Sequence, residues 1–369
     1  MLIRPHHEIP GDPHRILVIQ LGDIGDIVWT WPALAAIHDR FPGAAITLLA
    51  RKGRGGLLEA NPFLQEIVEV IQPQGGGLAS LSAQAGFLAG LRRRRFDLAV
   101  DLRGDERGAF LAWSSGAPVR IALAYGRNDV PFWRNRLFTH LAAAPLPGKR
   151  SFRGPAEQSL AVLRPFGIDI EGDLPPFPVP PVIAERVDRL LKDEGMDMSV
   201  PWVTISPYSR WTYKEWGQEK WVSVMRWLWD GWGVASAVVG SMDDRSKADD
   251  LIRSGGDHVR NLAGKTTLAE LAGVIARSVL HVGVDTGGPH LAAALGLPTV
   301  TIYGPSYGEA WAHPGQRHRV VFPDRDCVPC RKIGCDNSHR SECLEELEPG
   351  KVRQALEELL TGLGYTPRT

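Results

Sequence analysis

The sequence predicts an α/β protein of two domains, each built on a parallel β-sheet with crossover helices. Short apolar runs alternate with helical patterns along the whole chain, as strands and their crossover helices do in such sheets. The chain has 369 residues, more than a single hydrophobic core usually organises. A proline-rich segment at 173–181, DLPPFPVPP, separates two stretches that show the same alternation. We therefore expect one domain on each side of it.

The first domain, residues 1–176, is predicted from a series of buried strands. Its expected elements are a strand at 15–20 (RILVIQ), a helix at 27–40, strands at 45–50, 67–71 and 97–102, and a helix at 151–166. The five prolines of 173–181 forbid a helix and disfavour a strand. We interpret this segment as the interdomain linker.

The second domain, residues 177–345, repeats the pattern, and a C-terminal helix and tail follow at 346–369. Its expected helices lie at 184–195, 219–229, 287–295 and 351–360, and its strands at 202–206, 234–239, 279–284 and 298–303. Both domains are expected to be Rossmann-like and to face each other across a cleft. Open α/β sheets bind ligands at the carboxyl ends of their strands, so the loops there are expected to carry the chemistry.

Composition and charge exclude several classes of protein. Lys plus Arg and Asp plus Glu both number 42, which argues against general nucleic-acid binding. The first 14 residues have no apolar core of a secretory signal, and no apolar run approaches the ~20 residues of a membrane helix. We expect a cytoplasmic protein. Residues 103–153 hold nine basic and three acidic side chains, which fits either an anionic ligand or a solvated loop face.

The first strand is followed by LGDIGD at 21–26. Gly22 and Gly25 allow a tight turn and a close approach of a ligand, but their spacing does not make the G-x-G-x-x-G of a dinucleotide site. Asp26 either presents its carboxylate to the cleft or caps the following helix. From the residues alone, the cap is the favoured interpretation.

Two further strand ends carry groups suited to an anion. Ser209, Arg210 and Lys214 offer a hydroxyl, a guanidinium and an ammonium within six residues, a set suited to a diphosphate, although both cations are equally consistent with solvated surface charges. The segment DTGGPH opens a helix with backbone amides, which is an anion site. Its residues of interest are Asp285, Thr286, Gly287, Gly288 and His290. Packing alone does not explain this second set, so function is favoured there.

All four cysteines fall in one segment, with the spacing C-x₂-C-x₄-C-x₇-C. They are Cys327, Cys330, Cys335 and Cys343. In a reducing compartment, such clustering is consistent either with a structural zinc site or with reduced thiols packed in a loop. In both cases we expect a local structural role away from the diphosphate.

Taken together, these segments resemble the heptosyltransferase family, glycosyltransferase family nine, over roughly residues 16–360. The matching motifs are Gly25-Asp26 with Pro32-Ala33-Leu34, FDLAVDLR at 96–103 with SGAP at 115–118 and Arg120, W-x-x-K-x-W at 211–216, and D-T-G-x-x-H-L-A at 285–292. The resemblance implies a GT-B fold and an inverting, metal-independent transfer from ADP-heptose to the inner core of lipopolysaccharide. It also implies peripheral contact with the inner face of the cytoplasmic membrane through a lipid-linked acceptor.

By that resemblance, Asp26 is the general base on the acceptor hydroxyl, and Lys214 with Ser209 and Arg210 neutralises the leaving diphosphate. The resemblance also assigns a donor-site set of Asp285, Thr286, Gly287, Gly288 and His290, a ribose ligand at Asp244 rather than Asp243, and acceptor-side residues at Gly25, Arg103 and Arg120. No cofactor is expected to be required for catalysis.

Two other functions stay open at this point. A sugar-nucleotide epimerase on the same fold would need cleft carboxylates beyond Asp26 and Asp285, and the sequence does not point to them. A non-catalytic nucleotide-sugar-binding protein would bind tightly without turnover. Release of nucleotide only when an acceptor is present separates both from a transferase.

Overall fold

The computed structural model describes residues 9–70, 78–126, 130–143 and 154–368. The chain forms two compact units, Met1–Pro175 and Pro176–Thr369, so the boundary lies within the proline-rich segment. Pro181 is not part of an extended linker, because it begins a helix. The fixed φ of proline and its missing N–H suit that first helical position.

Unit 1 contains one six-stranded sheet in which every strand pairing is parallel. Its strands are β1 Arg15–Gln20, β2 Ala45–Arg51, β3 Leu64–Val70, β4 Leu98–Asp101, β5 Val119–Leu123 and β6 His140–Ala142. The described helices of this unit are α1 Ile24–Val28, α2 Thr30–Arg40, α3 Leu78–Arg93, α4 Glu106–Ser114 and α5 Ala156–Leu163. The strand order is β3-β2-β1-β4-β5-β6.

Unit 2 has a second six-stranded parallel sheet. Its strands are β7 Trp202–Ser206, β8 Ala235–Val238, β9 Val259–Asn261, β10 His281–Val284, β11 Thr299–Ile302 and β12 His318–Val321. Its helices are α6 Pro181–Asp193, α7 Gln218–Trp232, α8 Arg245–Gly255, α9 Leu268–Arg277, α10 Gly287–Ala294, α11 Gly308–Trp311, α12 Glu342–Glu346 and α13 Pro349–Gly362. The strand order is β12-β11-β10-β7-β8-β9.

The central strands form because their residues are apolar on both faces. In β1, Ile16, Leu17, Val18 and Ile19 are fully buried, as expected for a parallel sheet that helices cover on both sides. The terminal helix α13 packs into the core of unit 2, where Val352 and Leu356 join the same apolar cluster as Val300. None of the helices within the described ranges is long and apolar enough to cross a membrane.

Both sheets have the same topology. Numbered from its own first strand, each sheet has the order 3-2-1-4-5-6, which is that of the dinucleotide-binding Rossmann fold. In this topology the strand order reverses between strands 1 and 4. Ligands bind in the crevice outside the carboxyl ends of these two strands. The reversal lies between β1 and β4 in unit 1 and between β7 and β10 in unit 2. The predicted α/β architecture with two parallel sheets is confirmed.

Candidate active site

The reversal point of unit 2 brings Lys214 and Asp285 together. Lys214 lies in the loop after β7, and Asp285 directly follows β10. The Lys214 Nζ donates to Asp285 Oδ2 over 2.6 Å, and the two side chains are 22% and 10% exposed. An ammonium carries three donors, and this contact uses one of them. A positive group is therefore held at the carboxyl ends of two adjacent strands.

Helix α10 begins beside this pair. Thr286 is its N-cap residue, and Gly287 and Gly288 are its first two residues. The Thr286 Oγ1 is buried and has no hydrogen-bond partner within the described ranges. The first amides of a helix have no partner within the helix, so this end of α10 offers donors and a partial positive charge to an anion.

A buried polar layer beneath α10 explains why Gly288 is a glycine. His281 is hydrogen-bonded through Nδ1 to Thr204 Oγ1 (2.8 Å) and through Nε2 to Ser206 Oγ (2.9 Å). A Cβ atom at Gly288 would lie 2.8 Å from both His281 Nε2 and Ser206 Oγ. Burial lowers the pKa of His281 to about 3, so the ring is neutral and this layer adds no charge.

His290 lies one turn into α10 and is buried. Burial lowers its pKa to about 4; to a smaller extent, the Asp285 carboxylate raises that pKa and the Lys214 ammonium lowers it. Its Nδ1 lies 3.1 Å from His313 Nε2. The imidazole is therefore neutral near pH 7 and can act as a hydrogen-bonding group rather than a cation.

The other predicted donor-site residues have local structural partners. The Ser209 hydroxyl accepts from the Trp211 amide (3.2 Å), and the Ser209 amide donates to Glu215 Oε1 (3.1 Å). Arg210 is exposed, and its guanidinium lies over the Trp211 ring at 5.2 Å. Within the described ranges, no hydrogen bond joins Ser209 to the Lys214–Asp285 pair.

Asp244 follows β8, as expected for a ribose ligand, but its carboxylate also has a structural partner. Its Oδ2 accepts from the amide (2.8 Å) and the hydroxyl (2.6 Å) of Ser241. Asp243 is more exposed. The structure therefore gives the Asp244 carboxylate a capping role in the 3₁₀ turn Met242–Asp244 that precedes α8, and ribose binding there stays a prediction.

In unit 1, the structure corrects the place of Asp26. The predicted helix at 27–40 is two helices, and Asp26 lies inside α1 as its third residue, with Asp23 as the N-cap. Asp26 Oδ2 accepts from the Asp23 amide (2.9 Å), which is the reciprocal half of a capping box. The interpretation of Asp26 as the N-cap is wrong, because the helix starts three residues earlier.

Asp26 also contacts Arg103, which follows β4 across the reversal point. Arg103 NH1 lies 3.2 Å from Asp26 Oδ2, and Arg103 Nε lies 3.1 Å from Asp105 Oδ2. Burial raises the pKa of Asp26 above its ordinary value, and the Arg103 guanidinium opposes that shift. A carboxylate with a raised pKa beside a cation is the environment of a general base.

Two predicted acceptor-side residues do not join this group. Gly25 lies inside α1 and not in a turn, whereas Gly22 makes room for Asp26, because a Cβ there would lie 2.2 Å from Asp26 Oδ2. Arg120 lies near the start of β5, and its guanidinium donates to the carbonyls of Leu137 and Ala117. Two of its five N–H donors therefore hold backbone, and an acceptor-side role of Arg120 stays a prediction.

The basic stretch 103–153 is not one solvated face. Arg134 is fully buried, Arg103 is paired, and Arg136 lies over the Phe132 ring at 5.5 Å. Four of its cations lie outside the described residues: Arg127, Lys149, Arg150 and Arg153. The first residues of the predicted helix at 151–166 lie outside them as well.

Cys327, Cys330 and Cys335 lie between β12 and α12, whereas Cys343 lies inside α12 and is buried. Burial raises the pKa of its thiol to about 11, and the thiols of Cys327, Cys330 and Cys335 add to the shift. In the part of the chain that the structure describes, no group of three or more His, Cys, Asp or Glu side chains is placed to hold a metal ion. Zinc binding by the four thiols stays a prediction.

The cysteine segment contacts the donor loop, whereas the sequence predicts a position away from the diphosphate. Ser341 Oγ donates to the Tyr213 carbonyl (2.6 Å), and Thr212 Oγ1 donates to the His339 carbonyl (3.4 Å). These contacts hold the turn that carries Lys214. The segment therefore supports the donor loop through its backbone and hydroxyl groups.

The sequence interpretation missed several polar groups, notably Glu215, His281, His313 and the buried Asp101. His281 and Asp101 lie on strands that the apolar pattern predicts to be buried. A titratable residue inside such an apolar run could have marked both as candidate site residues. Glu215 stands next to Lys214 in the motif. For His313, no local pattern marks the contact with His290, because it depends on the packing of two separate segments.

With this geometry established, comparison with known proteins places the chain. The model of glycosyltransferase family 9 (heptosyltransferase) matches residues 86–340, which is more than half of the chain. Lipopolysaccharide heptosyltransferase 3 of Escherichia coli is 27% identical over 300 residues, covering 81% of this chain and 85% of that protein.

Solved structures show the same fold. A family 9 glycosyltransferase of Veillonella parvula superposes with a TM-score of 0.75 at 21% identity, covering 95% of this chain and 97% of that one. The ADP-heptose lps heptosyltransferase II of E. coli gives a TM-score of 0.72 at 20% identity, covering 95% and 99%. The chain is a glycosyltransferase and belongs to glycosyltransferase family 9, the heptosyltransferase family.

Proposed function

We propose that the protein transfers a heptose, or a similar sugar, from an ADP-sugar to the inner core of lipopolysaccharide or a related anionic glycan. We further propose that the transfer is inverting and independent of metal ions. The observation that carries the donor half is the Lys214–Asp285 ion pair (2.6 Å) beside the start of α10. The substrate classes are supported by the names of two relatives, lipopolysaccharide heptosyltransferase 3 and ADP-heptose lps heptosyltransferase II.

The donor half follows from charge. When the glycosidic bond to the donor breaks, negative charge develops on the diphosphate oxygens of the leaving nucleotide. The Lys214 ammonium and the first amides of α10 are fixed donors that can stabilise this charge, and such preorganised groups act most strongly in the transition state. Asp285 orients the ammonium, since it accepts one of its three hydrogens.

The acceptor half follows from Asp26. An acceptor hydroxyl attacks the anomeric carbon more readily when a base takes its proton as the bond forms. The Asp26 carboxylate keeps one structural contact with the Asp23 amide and one with Arg103. A single displacement on the face opposite the leaving group inverts the anomeric configuration, and no covalent sugar–enzyme intermediate is needed.

We expect ADP alone to stabilise the protein thermally in the presence of EDTA. Binding to the folded state adds RT ln(1 + [L]/Kd), about 2.7 kcal/mol at a hundredfold excess of ligand over Kd. Differential scanning fluorimetry with ADP, UDP and GDP at equal concentrations measures the effect. Stabilisation by UDP but not by ADP would contradict the assigned donor, and a shift that appears only with Mg²⁺ would contradict the metal-independent site.

A further inference from the structure

Beneath the Asp26–Arg103 contact lies a buried ion pair that the proposed chemistry does not use. Asp101 is the last residue of β4, Arg134 follows β5, and both side chains are fully buried. Their nearest charged atoms, Arg134 NH2 and Asp101 Oδ2, are 3.9 Å apart, too far for a hydrogen bond. Within the described ranges, Asp101 Oδ2, Arg134 Nε and Arg134 NH2 have no hydrogen-bond partner.

This geometry is unfavourable for stability. Desolvating two charges is offset only when the pair is well aligned and its remaining donors and acceptors are satisfied. Burial raises the pKa of Asp101 to about 7, against the opposite effect of Arg134 and two backbone amides. A poorly satisfied buried pair next to a site is more readily explained by what it positions than by the stability it adds.

What Asp101 positions is the turn that carries Arg103. Asp101 Oδ1 accepts from the amides of Arg103 (3.2 Å) and Gly104 (2.9 Å). Gly104 has a φ of 82°, which favours glycine, and a Cβ there would lie 2.8 Å from Arg134 NH2. The Tyr125 hydroxyl donates to the Arg103 carbonyl (3.4 Å), and the Arg134 guanidinium lies over the Tyr125 ring at 4.9 Å.

We infer that Asp101 and Arg134 are positioning residues, which fix the Arg103 turn so that the Arg103 guanidinium stays on Asp26. They act on the acceptor only through Arg103 and Asp26. The inference rests on the proposed function for its catalytic meaning, but the effect on Asp26 is a property of unit 1 alone. The position of Arg103 decides how strongly its charge favours the ionised form of Asp26.

Among the described residues, few charged groups surround the Asp26 and Asp101 carboxyl groups. Asp26 faces Arg103 and Asp23, and these two pair in turn with Asp105 and Arg51. The groups around the Asp101–Arg134 pair are Tyr125, Asp105 and Glu106. Of all these groups, Arg103 is the cation in contact with Asp26, so its displacement raises the pKa of Asp26.

The test measures the Asp26 pKa directly in the full chain, by ¹³C NMR titration of protein labelled at the aspartate carboxyl groups. The Asp26 signal is identified by its loss in Asp26→Asn. We expect Arg103→Gln to raise the Asp26 pKa by about one unit. Asp101→Ala removes the acceptor of the Arg103 and Gly104 amides and should raise the Asp26 pKa in the same direction. Asp101→Ala combined with Arg103→Gln should raise it no further than Arg103→Gln alone.

A second variant keeps the charges and moves only the carboxylate. A Cβ at Gly108 in α4 would lie 2.6 Å from Asp101 Oδ2, so Gly108→Ala displaces Asp101 even where Asp101→Ala fails to fold. Gly86→Ala in α3 is the matched control, because nothing lies within 4 Å of its Cβ position. We expect a raised Asp26 pKa in Gly108→Ala and none in Gly86→Ala.

A lower melting temperature with an unchanged Asp26 pKa in Gly108→Ala would overturn the inference. The Asp101–Arg134 pair would then have a structural role only. The NMR titration needs no turnover, so its result is separate from that of the transfer assay. Absence of transfer by the unmodified enzyme would count against the proposed function alone. In the active enzyme, the acid limb of kcat/KM should move upward in Gly108→Ala together with the Asp26 pKa.

Discussion

Asp26→Asn is expected to lower turnover by about 10²–10⁴-fold, the usual contribution of a positioned general base. The variant should fold within about 1 kcal/mol of the parent, because the Asn oxygen can still accept from the Asp23 amide. Affinity for ADP should not change, since the donor groups lie in unit 2. Initial rates of ADP release with acceptor present measure the loss.

The matched control is Asp105→Asn. Asp105 also pairs with Arg103 and caps a helix, accepting from the Gly108 amide at 2.7 Å. We expect a loss of less than about tenfold in this variant, because Asp105 is not assigned to the acceptor proton. Near-normal turnover in Asp26→Asn would return Asp26 to a purely capping role. An equal loss of turnover in Asp26→Asn and Asp105→Asn would indicate that both substitutions act through Arg103.

The pH dependence follows from the same group. A general base must be ionised, so kcat/KM should fall as the pH drops through the pKa of Asp26. Burial raises that pKa above the ordinary aspartate value of 3.8, and the acid limb should therefore lie above pH 3.8. In Asp26→Asn this limb should be lost from the residual activity.

Lys214→Ala is expected to weaken both ADP binding and transfer. A charge-assisted hydrogen bond contributes about 1.5–3 kcal/mol, which corresponds to roughly 10–100-fold in the Kd for ADP. The loss in kcat/KM should be larger, on the order of 10²–10³-fold, because the ammonium acts on charge that develops in the transition state. Isothermal titration with ADP and initial rates give the two values.

Lys265→Ala is the control for the loss of a lysine ion pair in the same unit. Lys265 Nζ lies 2.6 Å from Glu194 Oε2, the same distance as in the Lys214–Asp285 pair, with the two side chains 23% and 27% exposed. This pair takes no part in the proposed site, so ADP affinity and kcat/KM should be retained. Equal losses in Lys214→Ala and Lys265→Ala would contradict the diphosphate role of Lys214.

The central strands were predictable because their physical signal is local. The predicted bounds of β1 and β7 agree with the structure, since both are short apolar runs that helices bury on both faces. Among the interior strands, β5 was missed. The edge strands β6, β9 and β12 were missed as well. They have three or four residues each and include His140, Arg260 and His318, so neither length nor apolar pattern marks them.

The site was predictable where a motif is contiguous, and not where sheet order creates a contact. DTGGPH contains its own strand end and helix start. The contact between Asp26 and Arg103 joins residues 77 apart, and it exists because β4 lies next to β1 in the sheet. The start of α1 was misplaced although Asp23 and Asp26 have the spacing of a capping box.

The most direct test of the account is a transfer assay with ADP-heptose and a truncated lipopolysaccharide core acceptor in the presence of EDTA. We predict that ADP forms only when the acceptor is present, and that the product carries one added heptose with inverted anomeric configuration by NMR. ADP release without acceptor, transfer only with added divalent metal, retention of configuration, or transfer from UDP- or GDP-sugars in preference to ADP-heptose would contradict it.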